Sequence, residues 1–479
     1  MKSDTDKPYD LVIIGSGSAA FSAAIHAVTL GANVVLVEEG TVGGTCVNVG
    51  CIPSKALLAA AEARHIASTQ PFAGISTQAG AVDMEALILA KRSLTEELRH
   101  DKYENLAKLY GFSILRGTAT FNTDGSLLIN RGDGNPRDQD VVVSADHYVI
   151  ATGATPSIPA IPGVESVPYL TSTTAMELSR VPESLVVIGA NAVGLEQAQL
   201  FSHLGSDVTV IELRSRIAPF EEPEISAALT DILTYEGIKV LTSSSIEQVS
   251  SSGHGIHIEL VRFGERHTLQ ANALLVATGR VPNTAALGLE NVGVEVGPHG
   301  EVVVDDQLRT SNPKIFAAGD VTGGPQYVYV AGRHGSIVVD NALLGSGRKV
   351  DYRTLPRVTF TTPQIASVGL TDEMAVQAGY RCECRVMNLS AVPRALVNRD
   401  TRGLVKLVVD SASKRVLGIH LLADGAADSI LAGVYALEAN FTVDQLASIW
   451  APYLTMGEAI QLGAQSFSRD VSLLSCCAS

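Results

Sequence analysis

One pattern occurs twice in this chain and limits what it can fold into. Tyr9-Asp10-Leu11-Val12-Ile13-Ile14 is a short apolar run, followed by Gly15-Ser16-Gly17-Ser18-Ala19-Ala20 and an alanine-rich helical stretch. A second apolar run, Asn33 to Val37, then ends at Glu38. The same order returns as Ser184-Leu185-Val186-Val187-Ile188, Gly189-Ala190-Asn191-Ala192-Val193-Gly194, a helical stretch, Asp207 to Ile211, and Glu212. In both copies the acid follows the first glycine by 23 residues. One glycine-rich string is a weak signal, but two with matching strand, helix and acid spacing predict two βαβ units of dinucleotide-binding type. The first glycine permits the turn, and the next positions let backbone N–H groups approach a pyrophosphate at a helix N-terminus. In the second copy Asn191 replaces the middle glycine, so that turn must accommodate a side chain. Glu212 suits a ribose 2′-hydroxyl and points to NAD, whereas Arg214 and Arg216 suit a 2′-phosphate and point to NADP. Both readings stay open.

The rest of the chain reads as further α/β structure. Asp83 to Tyr110 has helical periodicity, and Phe112 to Ile150 alternates like strands broken by turn signals. Ala151-Thr152-Gly153 with Pro156 rhymes with Ala277-Thr278-Gly279 with Pro282, each plausible as an exit from a nucleotide unit. From about Leu355 the nucleotide signatures stop, and alternating runs with an apolar helix over Ser429 to Glu438 predict a separate α+β domain. The net charge of −15 repels phosphate backbones and anionic lipid, which argues against nucleic acid and stable membrane association. No apolar run approaches the length of a membrane helix, and the polar start lacks a signal-peptide layout, so a cytoplasmic protein is expected.

The six cysteines fall into three close pairs: Cys46 and Cys51, Cys382 and Cys384, Cys476 and Cys477. In a reducing compartment close pairs suggest redox chemistry or soft-metal binding before structural cross-links. The first pair lies in Gly43-Gly44-Thr45-Cys46-Val47-Asn48-Val49-Gly50-Cys51-Ile52-Pro53-Ser54-Lys55. Two cysteines five apart at a helix start can close a disulfide, and the helix N-terminus is expected to lower a thiol pKa. Gly43 and Gly44 allow close approach of a flat cofactor, and Lys55 falls one helical turn beyond Cys51. Cys382 and Cys384, two apart on a predicted strand, face the same side and read as ordinary thiols, with accessory metal binding the other reading.

That segment resembles the redox-active disulfide motif of the flavin-dependent pyridine nucleotide–disulfide oxidoreductases, and the likeness covers the chain from Tyr9 to its end. It implies two Rossmann-like domains and a C-terminal α+β dimerisation domain: residues 1–155 and 284–352 for FAD, 156–283 for the nicotinamide cofactor, and 353–479 for a homodimer interface. The resemblance implies that Gly15, Ser16, Gly17, Ser18, Ala19, Glu38, Gly44, Thr45, Thr152, Gly153, Gly279, Arg280, Gly319 and Asp320 bind cofactor. Asp320 lies in Ala317-Ala318-Gly319-Asp320, which is similar to the family's second flavin motif. Gly189, Gly194, Glu212, Arg214 and Arg216 fall to the nicotinamide cofactor, with NADPH expected and NADH possible. Glu196 would pair with Lys55, Cys51 would face the flavin, and Cys46 would exchange with substrate.

The family's disulfide reductases carry a C-terminal His–Glu dyad. Here the stretch reads Pro452-Tyr453-Leu454-Thr455-Met456-Gly457-Glu458, with Tyr453 at the histidine position and no histidine after His420. A phenol is a poor substitute for imidazole at neutral pH. Pro452 to Met456, the terminal Cys476 and Cys477, Val392-Pro393-Arg394-Ala395-Leu396 and Asp400-Thr401-Arg402-Gly403 are similar to the family's branch that reduces Hg(II). By that likeness Cys476 and Cys477 of one subunit pass the metal to Cys46 and Cys51 of the other, Tyr103 and Tyr453 flank it, and Glu458 stays beside them. The N-terminal metallochaperone-like domain of many such enzymes is expected to be absent, leaving small thiols or a separate metallochaperone to deliver the metal. A thioredoxin-reductase-like enzyme with a mobile dithiol tail, and a flavoprotein that only buffers metal, are the competing readings.

Overall fold

Alternation along the first strand decides how the N-terminal sheet is covered. Leu11 and Ile13 pack with Val34 and Leu36 against the helices Ser18–Thr29 and Val328–Leu344. Val12, Ile14, Val35 and Val37 pack on the other face against Ala119, Phe121, Leu127 and Ile129. Those four belong to an antiparallel meander of Thr118–Phe121, Leu127–Asn130 and Val141–Val143. Period-two alternation with both faces buried is what a covered parallel sheet requires. The sheet is parallel, in the order Ile315–Ala317, Ala145–Ile150, Tyr9–Ile14, Val34–Glu38, Ser113–Arg116. The alanines of the first helix are small for a reason: a Cβ on Gly335 of the facing helix would stand 2.4 Å from the Ala19 carbonyl oxygen.

This computed structural model describes residues 9–132, 139–253 and 255–471. The chain divides into two units, Met1–Ala56 with Glu85–Ser157 and Gly279–Val350, and Leu57–Met84 with Ile158–Thr278 and Asp351–Ser479. The first unit is the sheet above. Its two Ala-Thr-Gly exits meet as a short antiparallel ladder, Ala154–Pro156 with Arg280–Pro282, in which Arg280 opposes Pro156.

The second unit holds the repeat of the nucleotide fold and the C-terminal sheet. Its parallel sheet runs Lys239–Leu241, Asp207–Ile211, Ser184–Ile188, Ala273–Val276, Tyr169–Thr171, covered on one face by the antiparallel strands Ser244–Ser252, Gly255–Arg262 and Glu265–Ala271. The C-terminal sheet is antiparallel, in the order Arg357–Thr359, Gln364–Gly369, Val416–Ala423, Leu404–Asp410, Cys382–Asn388. Its apolar face packs on the helices Ala426–Glu438, Val443–Ser448 and Glu458–Gln465. Its other face carries a buried charge cluster in which Lys406 Nζ lies 2.9 Å from both Glu222 and Glu224. No helix among the described residues is long and apolar enough to cross a membrane.

Two left-handed glycines of the second unit make its fold testable. Gly189 has φ +100° and its Cβ would stand 2.5 Å from the Ala277 oxygen, whereas Gly237, at φ +92°, has open space. Gly237→Ala should therefore cost about 1–2 kcal/mol, the price of left-handed backbone alone. Gly189→Ala adds a backbone clash and should cost about 3 kcal/mol or more. Thermal unfolding midpoints of the two variants check this, and equal midpoints would show that the turn at Gly189 relaxes.

Candidate functional site

The two turns are built alike. Gly15 has φ +110° and its Cβ would meet the Ala151 oxygen at 2.4 Å, the counterpart of Gly189 and Ala277. Gly15 N–H donates to Val37 O at 2.7 Å and Gly189 N–H to Ile211 O at 2.9 Å. Gly17 and Asn191 occupy the same place before their helices with the same extended backbone, φ −76° and −102°. That is why the second copy tolerates a side chain there: Asn191 needs no left-handed backbone and is exposed. Gly194 fits its tight position because a Cβ would stand 1.9 Å from the Gly189 oxygen. Gly44, with φ +65°, approaches Gly17 so closely that its Cβ would stand 2.6 Å from the Gly17 Cα. Gly15, Gly17 and Gly44 thus form a cradle of bare backbone at a switch point of strand order, where a dinucleotide's phosphates and a flat ring fit.

Both acids close their own turns. Ser16 Oγ donates to Glu38 at 2.5 Å and accepts the Gly43 N–H at 3.1 Å, while the other Glu38 oxygen accepts the Gly40 N–H at 2.7 Å. Glu212 accepts the N–H groups of Ala190 at 2.9 Å and Arg214 at 2.8 Å. Arg216 is committed to the carbonyls of Pro219 and Glu221, whereas Arg214 is exposed with its guanidinium 4.9 Å over the Phe220 ring.

The redox motif folds as the short helix Gly44–Asn48 followed by the long helix Cys51–Thr69, which starts at Cys51 and carries Lys55. Cys46 and Cys51 are not joined by a disulfide. A hydrogen bond with Cys51, burial and the charge on Cys51 hold the Cys46 thiol well above the ordinary thiol range, with Lys55 opposing weakly. Cys46 therefore shows a raised thiol rather than the expected lowering, because two sulfurs this close do not both ionise. Tyr103 is brought to the same place. Burial pushes its phenol up against an opposing hydrogen bond with Ser18, and it feels both cysteines. Its ring packs edge-on against Phe21 at 4.8 Å.

Behind the pair, Arg280 Nη2 reaches Thr45 Oγ1 at 3.4 Å and its Nε lies 3.9 Å from Asp320. Burial pulls Arg280 down and Asp320 up, and each offsets the other's shift. Gly319, at φ +78°, packs against Ala19 and donates its N–H to His334 Nδ1 at 3.1 Å. Burial holds His334 down at about 4, so it stays a neutral acceptor. Thr152 Oγ1 donates to Asn283 O at 2.7 Å, while Gly153 and Gly279 have open space at their Cβ positions.

The second unit holds Glu196, Tyr453 and Glu458. Buried Glu196 accepts the Phe360 N–H at 2.9 Å. Tyr453 is 46% exposed, beside Leu454 in left-handed backbone at φ +59°. Burial raises the Glu458 carboxyl, opposed by a hydrogen bond with the Leu454 backbone, and its Oε2 is buried without a partner among the described residues. Cys476 and Cys477 lie outside the described residues. A different cluster joins His65, His203 and Glu236, whose ligand atoms lie within 4.8 Å of one another. Its rings stack at 3.8 Å and 14°, and Glu236 is already held by Arg402 at 2.6 Å and Gln199 at 2.8 Å. Parallel imidazoles aim their lone pairs alike, not at a shared ion, so this cluster is an ion-pair network.

Sequence reasoning missed two features. Asn48 donates to the carbonyls of Val42 and Gly44, both at 2.9 Å, and accepts Arg99 Nη1 at 3.1 Å. Tyr103 lies not on a regular helix but on the π-helical turn His100–Glu104, between Met84–Arg99 and Asn105–Tyr110. Such turns favour functional positions. The Asn48 position inside the motif was a usable signal; the widened turn left none.

A family model described as pyridine nucleotide-disulphide oxidoreductase matches residues 9–335, and its dimerisation domain matches 355–464. The chain is 54% identical over 471 residues to a mercuric reductase of Streptomyces lividans, covering 98% of each chain. It is 47% identical to a mercuric reductase of Bacillus cereus, covering 98% of this chain and 73% of that protein. In structure it is similar to the HOCl-induced flavoprotein disulfide reductase RclA from Escherichia coli in its Cu(II) complex. The TM-score is 0.86 at 31% identity, over 97% of this chain and 100% of that one. LpdA from Mycobacterium tuberculosis gives a TM-score of 0.85 at 25% identity, over 96% and 99%. The chain belongs to the pyridine nucleotide-disulphide oxidoreductase family and is an FAD-dependent oxidoreductase, with mercuric reductases as relatives along nearly its whole length.

Proposed function

We propose that this chain reduces Hg(II) to elemental mercury at the expense of NADPH, as a homodimer. One observation carries the reading: two unbridged cysteines five residues apart share a hydrogen bond beside Lys55 and a protonated Tyr103, in a chain whose relatives are mercuric reductases. Paired sulfurs suit a soft cation that takes few ligands. In so close a pair one sulfur keeps its proton, so Hg(II) meets one thiolate first and displaces the remaining proton on becoming two-coordinate. The Tyr103 phenol, raised by burial, stays a donor beside those sulfurs through neutral pH.

FAD, when bound, supplies the two-electron carrier between nicotinamide and metal site. Gly15, Ser16, Gly17, Ser18, Ala19, Glu38, Gly44, Thr45, Thr152, Gly153, Gly279, Arg280, Gly319 and Asp320 would hold it, the glycines by backbone approach and Asp320 at the ribityl chain. Gly189, Gly194 and Arg214 would hold NADPH. Glu212 accepts two N–H groups of its own turn and keeps lone pairs for a ribose hydroxyl, while Arg216 serves its own loop, which leaves Arg214 to meet a 2′-phosphate. The homodimer reading is supported by the matched dimerisation domain and by the exposed apolar run Ile449, Trp450, Tyr453, Leu454 within it. In that dimer Tyr453 and Glu458 of one copy would face the cysteines of the other, and Cys476 and Cys477 would deliver the metal.

Cys51→Ala should lower Hg(II)-dependent NADPH oxidation at least about a thousandfold, since no thiolate pair remains. Trapped mercury vapour is the direct readout, with glutathione disulfide and oxidised thioredoxin as alternative substrates. Fast disulfide turnover inhibited by mercury would replace this reading with a disulfide reductase.

Arg214→Gln should raise KM for NADPH about 10- to 100-fold, the worth of one charge-assisted phosphate contact, and leave KM for NADH nearly unchanged. Equal effects on the two coenzymes would remove Arg214 from phosphate recognition.

A further inference from the structure

The helix that carries Cys46 is too short to hold its own shape. Gly44–Asn48 is little more than one turn, with Gly43 in left-handed backbone and no side-chain cap at its start, and non-helical Val49 at its end. A single turn is unstable in isolation, so its neighbours must set its position. Asn48 supplies the tie, its Nδ2 donating to the carbonyls of Val42 and Gly44 at 2.9 Å each. That tie depends on a side chain from elsewhere: Arg99, the last residue of the helix Met84–Arg99, donates from Nη1 to Asn48 Oδ1 at 3.1 Å. With Oδ1 engaged, the two donors of the amide are aimed at the carbonyls. The guanidinium is itself oriented from its other edge, where Arg99 Nε lies 4.0 Å from Glu104 at the end of the π-helical turn. Glu104 is shared with His100 Nδ1 at 3.3 Å, so this second arm is the weaker one. Asn48 and the Tyr103 ring also close on one point of the loop: a Cβ on Gly43 would stand 3.4 Å from Asn48 Nδ2 and 3.4 Å from Tyr103 Cδ2.

We infer that Arg99 is a positioning residue for the Cys46–Cys51 pair: by holding the Asn48 amide it fixes the one-turn helix that sets Cys46 against Cys51. The space around that helix makes small shifts count, since a Cβ on Gly50, between the two cysteines, would stand 2.9 Å from the Thr45 oxygen and 3.3 Å from the Cys46 Cα. Cys51 opens the next helix, so movement of the short helix changes the sulfur–sulfur geometry directly. The charged and titratable groups that face the pair are Lys55, Tyr103 and Arg280. Arg99 acts through Asn48 and not as a further charge on the sulfurs. The inference rests on Cys46 and Cys51 as the reacting pair, and its test has a readout that needs no mercury.

The FAD-bound full-length protein is used in a Cys382→Ser/Cys384→Ser/Cys476→Ser/Cys477→Ser background, which leaves Cys46 and Cys51 as its only cysteines. The pair is reduced with dithiothreitol, the reductant is removed, and alkylation by iodoacetamide is followed against pH, since the thiolate is the nucleophile. A thiol that donates to its neighbouring thiolate lowers the first ionisation of the pair, so a loosened pair ionises at higher pH. Arg99→Met should therefore move the alkylation midpoint up toward the ordinary thiol value of about 8.5 and slow the reaction at pH 7 about 3- to 10-fold. Asn48→Ala should do the same, and adding Arg99→Met to it should change the rate less than about twofold, because the link is already cut. Arg99→Lys keeps the charge but not the fork: it should unfold within about 3 °C of the parent and still alkylate like Arg99→Met. With all six cysteines present, Arg99→Met should lower kcat of Hg(II)-dependent NADPH oxidation about tenfold and leave KM for NADPH within about twofold. An unchanged alkylation profile in Arg99→Met, full recovery in Arg99→Lys, or additive losses in the double variant overturns the role. A shifted alkylation profile in a protein whose parent reduces no mercury upholds the positioning and overturns only the proposed function.

Discussion

Everything at the cofactor end depends on how closely backbone meets backbone. The Ala151 oxygen lies 2.4 Å from where a Gly15 Cβ would stand, and the Gly17 Cα lies 2.6 Å from where a Gly44 Cβ would stand. Only hydrogen fits at either contact, so strand, turn and redox loop are stacked at van der Waals distance. That stacking sets the helix Gly44–Asn48 over the turn and with it Cys46. Asn48 then ties the loop shut through two carbonyls, and Arg99 joins it to the helix that leads into the Tyr103 turn. The thiol pair and the phenol are thus located by short, directional contacts among backbone and buried polar groups, which leave little room for drift.

How far the fold was legible follows from the range of the signals. Strand, glycine turn and acid recur at fixed spacing because they meet within about thirty residues, so the repeat showed both nucleotide units and the register of Gly15 with Gly189. The cysteine motif was legible for the same reason: Cys46, Cys51 and Lys55 are neighbours in sequence. The rest needed distance. Arg280 reaches Thr45 across 235 residues, and Thr152 reaches Asn283 across 131, with nothing local to announce either. Leu57–Met84 groups with the second unit although the helix Cys51–Thr69 runs unbroken through that boundary. Tyr103 was expected on a regular amphipathic helix, because a π-helical turn keeps helical periodicity on both sides.

The acids at the ends of the second strands show why coenzyme choice could not be read from one residue. Glu38 and Glu212 each accept on both oxygens from their own turns, from Ser16 and Gly40 in one copy and from Ala190 and Arg214 in the other. A carboxylate that organises a glycine turn is needed there whichever ribose is bound. Its presence therefore carries less weight for NAD than its spacing suggests, and the decision passes to the exposed side chains that follow, Arg214 before Arg216.

The C-terminal loop supplies the sharpest chemical contrast with disulfide reductases. Its backbone is strained at Leu454, and Glu458 is half-buried with one oxygen unpartnered among the described residues, an arrangement costly enough to require a use. Yet the side chain ahead of it is a phenol. Reducing a disulfide must return two protons to two sulfurs, which calls for a group that titrates near neutrality. Discharging a metal held by two sulfurs moves electrons onto the metal, and the sulfurs need no protons at that step. A neutral phenol can then stay beside the sulfurs without competing for the cation, as an imidazole would by offering a nitrogen ligand. Tyrosine in place of histidine is, on the proposed reading, a change from proton relay to metal pocket, set beside the strained turn at Leu454 and the half-buried Glu458.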